Sequence, residues 1–72
     1  MSVAPGKYRH YKGGEYEVYG IATHSESEEK LVVYRPLYGA GDLWVRPLDM
    51  FTETVQVGDA HVPRFARLEN DS

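Results

Sequence analysis

Polar and apolar side chains alternate in steps of two along most of this chain, the period of a β-strand with one face buried. From Lys7 to Lys12 the alternation sets Tyr8 and His10 on one side and Arg9 and Tyr11 on the other. From Glu15 to Thr23 it is cleaner: Tyr16, Val18, Gly20 and Ala22 face one way, and Glu15, Glu17, Tyr19 and Ile21 the other. Gly13-Gly14 makes the turn between them, and Gly20 in mid-strand predicts a bulge or sharp bend. A polar connection, His24 to Glu29, leads to a third strand from Leu31 to Tyr38. Pro36 has no N–H to give a ladder and predicts an edge or a bulge. Leu43 to Arg46 returns and Pro47 stops it. Asp49-Met50-Phe51 reads as a short loop or a single 3-10 or helical turn, with Asp49 as its cap and Met50 and Phe51 plugging the core. Val55 to Leu68 holds the last strand or two, broken at Gly58-Asp59 and Pro63. No segment sustains a helical apolar stripe for three turns. The pattern predicts an all-β fold, about five short bent strands forming a small SH3-like barrel or roll.

The densest stretch is Val32 to Pro47, VVYRPLYGAGDLWVRP, two apolar runs around a Gly-Ala-Gly-Asp break. That is the signature of a hairpin. A four-residue loop, Gly39 to Asp42, sets Tyr38 against Leu43, Leu37 against Trp44 and Arg35 against Arg46. Arg35, Leu37, Trp44 and Arg46 then share one side of the ribbon. Like charges placed opposite one another call for carboxylates or an anionic ligand nearby. A three-residue loop instead pairs Arg35 with Val45 and moves Trp44 to the face of Tyr34 and Tyr38, because a one-residue slip reverses every facing.

At 72 residues the chain is expected to form one domain, ordered over about 6–68 with loose ends at 1–5 and 69–72. Cysteine is absent, which excludes disulfides, thiolate metal sites and cysteine nucleophiles. Such a domain leans on aromatic bulk, here six tyrosines, two phenylalanines and Trp44. No apolar run approaches a membrane span, and the opening Met-Ser-Val-Ala-Pro-Gly lacks the features of a secretory signal, so a cytoplasmic protein is expected. The net charge of −3 argues against a general nucleic-acid binder. Lys7, Arg9 and Lys12 precede a run of five glutamates ending at Glu29, and the two segments are expected to pair across the fold.

The blocks GKYRHYKGGEYEVYGIATHSES, LVVYRPLYGAGDLWVRPLDMF and VPRF, from Gly6 to Phe65, resemble the bacterial family catalogued as domain of unknown function 1653 (DUF1653). Tyr8-Arg9-His10-Tyr11-Lys12-Gly13 and Leu43-Trp44-Val45-Arg46-Pro47 carry the likeness most specifically. The family pattern commonly has threonine where this chain has Ser27, a change that keeps the hydroxyl. The resemblance implies a small SH3-like β fold and no particular activity.

His24-Ser25-Glu26 suggests a catalytic triad, but neighbours in sequence point apart and cannot relay a proton. A polar turn, with Ser25 or Ser27 bonding local backbone, is expected there. His10, His24 and His61 lack the spacing of a metal motif, so neither metal nor cofactor is expected. Gly39-Ala40-Gly41 precedes no helix and is a turn rather than a phosphate loop. Interleaved aromatic and basic residues are the chemistry of base stacking and phosphate contact. Arg35, Trp44 and Arg46, with Arg9, Tyr11, His24 and Arg64 around them, are therefore the candidate ligand face.

The expected function is a non-enzymatic recognition module for an anionic ligand, a phosphorylated metabolite or single-stranded nucleic acid. The alternative is a protein–protein or homodimer module using an exposed edge strand. Monomer and weak dimer are both compatible with the sequence, and no membrane contact is expected.

Overall fold

The computed structural model describes residues 3–68. Seven short strands and one helical turn follow in the order β1 (Gly6–His10), β2 (Glu15–Thr23), β3 (Lys30–Pro36), β4 (Trp44–Pro47), α1 (Leu48–Phe51), β5 (Thr54–Val57), β6 (Ala60–Pro63) and β7 (Phe65–Arg67). Five of them form one antiparallel sheet in the order β4-β3-β2-β1-β7, and β5 and β6 form a separate hairpin. The all-β prediction stands, with three strands rather than one or two after α1. The sheet curls without closing into a barrel. Its opposite edges meet only through side chains, the Arg46 guanidinium of β4 lying 5.5 Å from the Phe65 ring centre of β7.

Turn chemistry explains the connections. At Gly13 the backbone has φ +111°, and His10 and Gly14 close the turn with a 2.7 Å hydrogen bond. The register of β2 on β3 shifts between Val18 and Gly20, the bulge that Gly20 predicts, and Gly20 holds φ +154°. No atom lies within 4 Å of where its Cβ would stand, so conformation rather than space requires glycine there.

One face of the sheet is apolar. Tyr8, Tyr16, Val18, Val32, Tyr34 and Phe65 are buried on it, and Phe51 of α1 closes over them. Phe51 stacks on Phe65 with ring centres 4.2 Å apart and meets Tyr8 and Tyr34 edge-on. Two details of α1 differ from the sequence expectation. Pro47 occupies the N-cap with no side-chain cap bond, so Asp49 sits in the first turn without capping. Met50 turns outward, and Leu48 packs against the core instead. Residues 3–5 are also better held than expected: Val3 packs on the core, Tyr8 Oη donates to Ala4 O at 2.7 Å, and Arg67 donates to Pro5 O. The end expected to be frayed, 69–72, lies outside the described residues.

The opposite face is a ladder of charge. Arg9 pairs with Glu15 at 2.8 Å and Arg35 with Glu17 at 3.7 Å, directly across β1–β2 and β2–β3. Acidic and basic segments do pair, as expected, and such exposed pairs stabilise little. No helix among the described residues is long and apolar enough to cross a membrane.

Truncating Phe51, 2% exposed, should therefore be severe: Phe51→Ala is expected to lose about 3–5 kcal/mol of unfolding free energy. Met50→Ala, at 45% exposure beside it, should change little, and urea denaturation of the two variants checks the contrast.

Candidate functional site

The hairpin register corrects the sequence reading. Tyr34 pairs with Trp44, Val33 with Val45 and Val32 with Arg46, three residues away from a four-residue loop. An odd shift reverses faces. Arg35 consequently leaves Trp44 and Arg46 and lies on the charged side, with its Nε donating to Tyr19 Oη at 2.6 Å. Leu37 has no partner in β4 and gives its N–H to Glu15 O beside β3 instead. The proposed Arg35–Leu37–Trp44–Arg46 face does not form.

Trp44 and Arg46 stay together on the aromatic side. Pairing with buried Tyr34 and Val32 holds both at the rim of that face. The Trp44 indole is 6.1 Å from Tyr34 and 6.2 Å from Tyr16, and is 43% exposed. Arg46 Nε donates to Tyr34 Oη at 3.3 Å. Among the described residues the arginines in ion pairs are Arg9, Arg35 and Arg64, and no carboxylate comes within 4.0 Å of Arg46. Arg46 as a whole residue is partly exposed.

His10 enters the same cluster from β1. Its ring lies 4.9 Å from Phe65 and 6.5 Å from Tyr16. The Lys12 N–H donates to its Nδ1 at 3.1 Å, which leaves Nε2 to carry the proton of the neutral ring. Burial, then the charges of Arg46, Arg64 and Lys12, lower its pKa below the ordinary 6.5. Three cations thus face one imidazole. Tyr38, outside the ladder, hydrogen-bonds through its hydroxyl to Tyr16 Oη at 2.7 Å. Burial first, and then that bond, push the Tyr16 phenol up to about 12, so it remains a neutral hydroxyl. The arrangement offers a guanidinium fork, an open indole plane and neutral hydroxyls, the parts that hold an anion joined to a planar group.

The remaining candidates divide. Arg64 stands near the cluster but is held by Glu53 at 2.7 Å. Tyr11 packs on His10 at 4.7 Å and, with Arg9, borders a groove of about 370 Å³ whose floor includes Val57, Val62 and Leu68. Arg9 faces away from the cluster. His24 is remote in role: its Nδ1 accepts the N–H groups of Glu26 and Ser27, at 3.1 and 3.2 Å, and Ser27 Oγ accepts that of Glu29. That is the expected polar turn. Among the described residues no three His, Cys, Asp or Glu side chains gather. His10, Tyr16, Tyr34, Tyr38 and Phe65 were missed as site residues. The alternation of Tyr8/His10 and Tyr16/Val18 carried the signal for two of them, His10 and Tyr16, once their face is recognised as that of Trp44.

A family model described as "Protein of unknown function (DUF1653)" matches residues 6–67. No curated protein matches the chain. Among solved structures, a protein of the same family from Bordetella bronchiseptica superposes with a TM-score of 0.85 at 39% identity, covering 97% of this chain and 92% of that one.

Because His10 has its pKa lowered in the folded state, its contribution to stability is fully present above 6.5 and is lost as pH falls through the lower folded value. His10→Asn keeps an acceptor for the Lys12 N–H and cannot take the charge. Its melting temperature should decline less than that of the unsubstituted protein between about pH 7 and pH 5. Parallel declines would show that His10 is not desolvated.

Proposed function

The chain belongs to the DUF1653 family of proteins of unknown function, and we propose that it is a non-enzymatic recognition module of the bacterial cytoplasm. Its ligand joins an anionic group to a planar one, as a phosphorylated metabolite or single-stranded nucleic acid does. Arg46 takes the anion, Trp44 stacks on the plane, and Tyr38 and His10 border the place where the two meet. The observation that carries this reading is Arg46, which is partly exposed and has no carboxylate within 4.0 Å among the described residues.

Electrostatics favours the reading locally although the chain is acidic overall. Arg46, Arg64 and Lys12 converge on His10, whereas the glutamates of β2 are engaged on the other face. A non-enzymatic role is supported by the engagement of His10 and His24, each of which accepts a backbone N–H of its own turn at Nδ1. The cytoplasmic location rests on a fold that needs no disulfide, and the bacterial one on the Bordetella relative.

Nitrogen-15 shift mapping against inorganic phosphate, nucleoside monophosphates and short single-stranded DNA and RNA tests the proposal. Saturable shifts are expected at the Trp44 indole and at the amides of Arg46, Tyr38 and His10. Arg46→Lys keeps the charge and loses the fork, and should weaken binding about tenfold while the core resonances stay in place. Silence of the Trp44 indole throughout the panel would end this reading.

A further inference from the structure

Strand β4 is an edge of the sheet, and its free side is apolar. Leu43, Trp44 and Val45 are 65%, 43% and 58% exposed. The direction of its backbone groups follows from the ladder. Leu37 N–H bonds Glu15 O, so odd-numbered residues of β3 address β2 and even-numbered ones address β4. Tyr34–Trp44 and Val32–Arg46 are accordingly the bonded pairs, and Trp44 and Arg46 use their N–H and C=O groups on β3. Val45 turns its own outward, and pairing with a further strand would extend β4 back through Leu43 and Asp42 with the same alternation.

A second β4, antiparallel about a two-fold axis at Trp44, satisfies those outward groups. Leu43 meets Val45 of the other copy in a bonded pair, apolar against apolar. Trp44 meets its counterpart at the closely spaced non-bonded position, where aromatic pairs stabilise a sheet. Two residues further along the same alternation, Asp42 faces Arg46. Among the described residues neither of these has an opposite charge within 4.0 Å in its own chain. A two-fold axis at Val45 instead places Leu43 opposite Pro47, which has no N–H, and leaves both charges unmatched.

We propose that the chain self-associates by antiparallel pairing of two β4 edges centred on Trp44, with Asp42 of each copy against Arg46 of the other. Charge complementarity selects a second copy as the occupant, because the five residues from Asp42 to Arg46 supply both signs at matching offsets. So short an edge buries little area, which makes the dimer weak and transient.

Sedimentation velocity from about 10 µM to about 1 mM tests the pairing, with Trp44 fluorescence as a local readout. The unsubstituted protein should pass from monomer to dimer as its indole emission shifts to the blue. Val45→Lys should remain monomeric. Asp42→Lys, which sets two cations against Arg46 in each dimer, should weaken association about tenfold or more. Both positions are exposed and outside the core, so circular dichroism should show the fold retained. A strict monomer over the whole range overturns the proposal, as does a dimer that Asp42→Lys leaves unaltered. Ligand shifts at Trp44 in the Val45→Lys monomer are independent of either result and report on the recognition reading alone.

Discussion

The ring of Phe65 holds this fold together. It lies flat against Phe51 at 4.2 Å and meets His10, Tyr16 and Tyr34 edge-on, with the Arg46 guanidinium above it. These partners come from α1 and from strands β1, β2, β3 and β4, so one side chain on the shortest edge strand touches nearly every element of the main sheet. The reason is size. A chain of 72 residues buries only about 60% of its unfolded surface and has room for one small core. Curling one sheet until its edges meet through side chains gives that core an interior. Edge-to-face rings contribute beyond their buried area, which suits a core with few aliphatic residues.

The same curl creates the candidate site. Because the edges meet through side chains and not through a ladder, Arg46 is drawn over an aromatic ring while the residue stays partly exposed. A closed barrel would have placed backbone there. The glutamates that could neutralise Arg46 are carried on the opposite face of β2, where Arg9 and Arg35 engage them. An acidic protein thereby keeps a locally cationic rim. Neutral Tyr16 and a His10 with lowered pKa add hydrogen-bonding capacity to that rim without adding negative charge.

Strands and turns were legible in the sequence wherever a local rule decides them. Gly13 closes its turn, Gly20 marks its bulge and the two-residue alternation of Glu15 to Thr23 sorts the faces of the first half of β2. The β3–β4 register was not legible, and three residues account for it. Pro36 has no N–H on the side that faces β4, so the ladder cannot pass it. Leu37 gives its N–H to Glu15 O, and Tyr38 reaches across to the Tyr16 hydroxyl. Both read as strand by composition, yet long-range contacts remove them from the strand and lengthen the loop. Closure of the sheet was over-predicted for a related reason: composition shows how many strands there are, whereas the separation of β4 from β7 depends on how far the curl proceeds.

The proposed recognition and the proposed self-association both call on Arg46. A guanidinium that forks to the carboxylate of Asp42 in a second copy could not fork to a phosphate at the same time, so on these proposals dimer and ligand-bound monomer compete. Linkage sets the sign: a ligand that binds only the monomer stabilises it by RT ln(1 + [L]/Kd), and the dimer population must fall as that ligand is added. The effect differs from general salt screening, which weakens exposed ion pairs in proportion to ionic strength whatever the anion. Phosphate and chloride compared at equal ionic strength in the sedimentation experiment separate the two causes. Greater dissociation in phosphate places ligand and partner on one arginine; equal dissociation assigns Arg46 to the dimer edge without a competing anion.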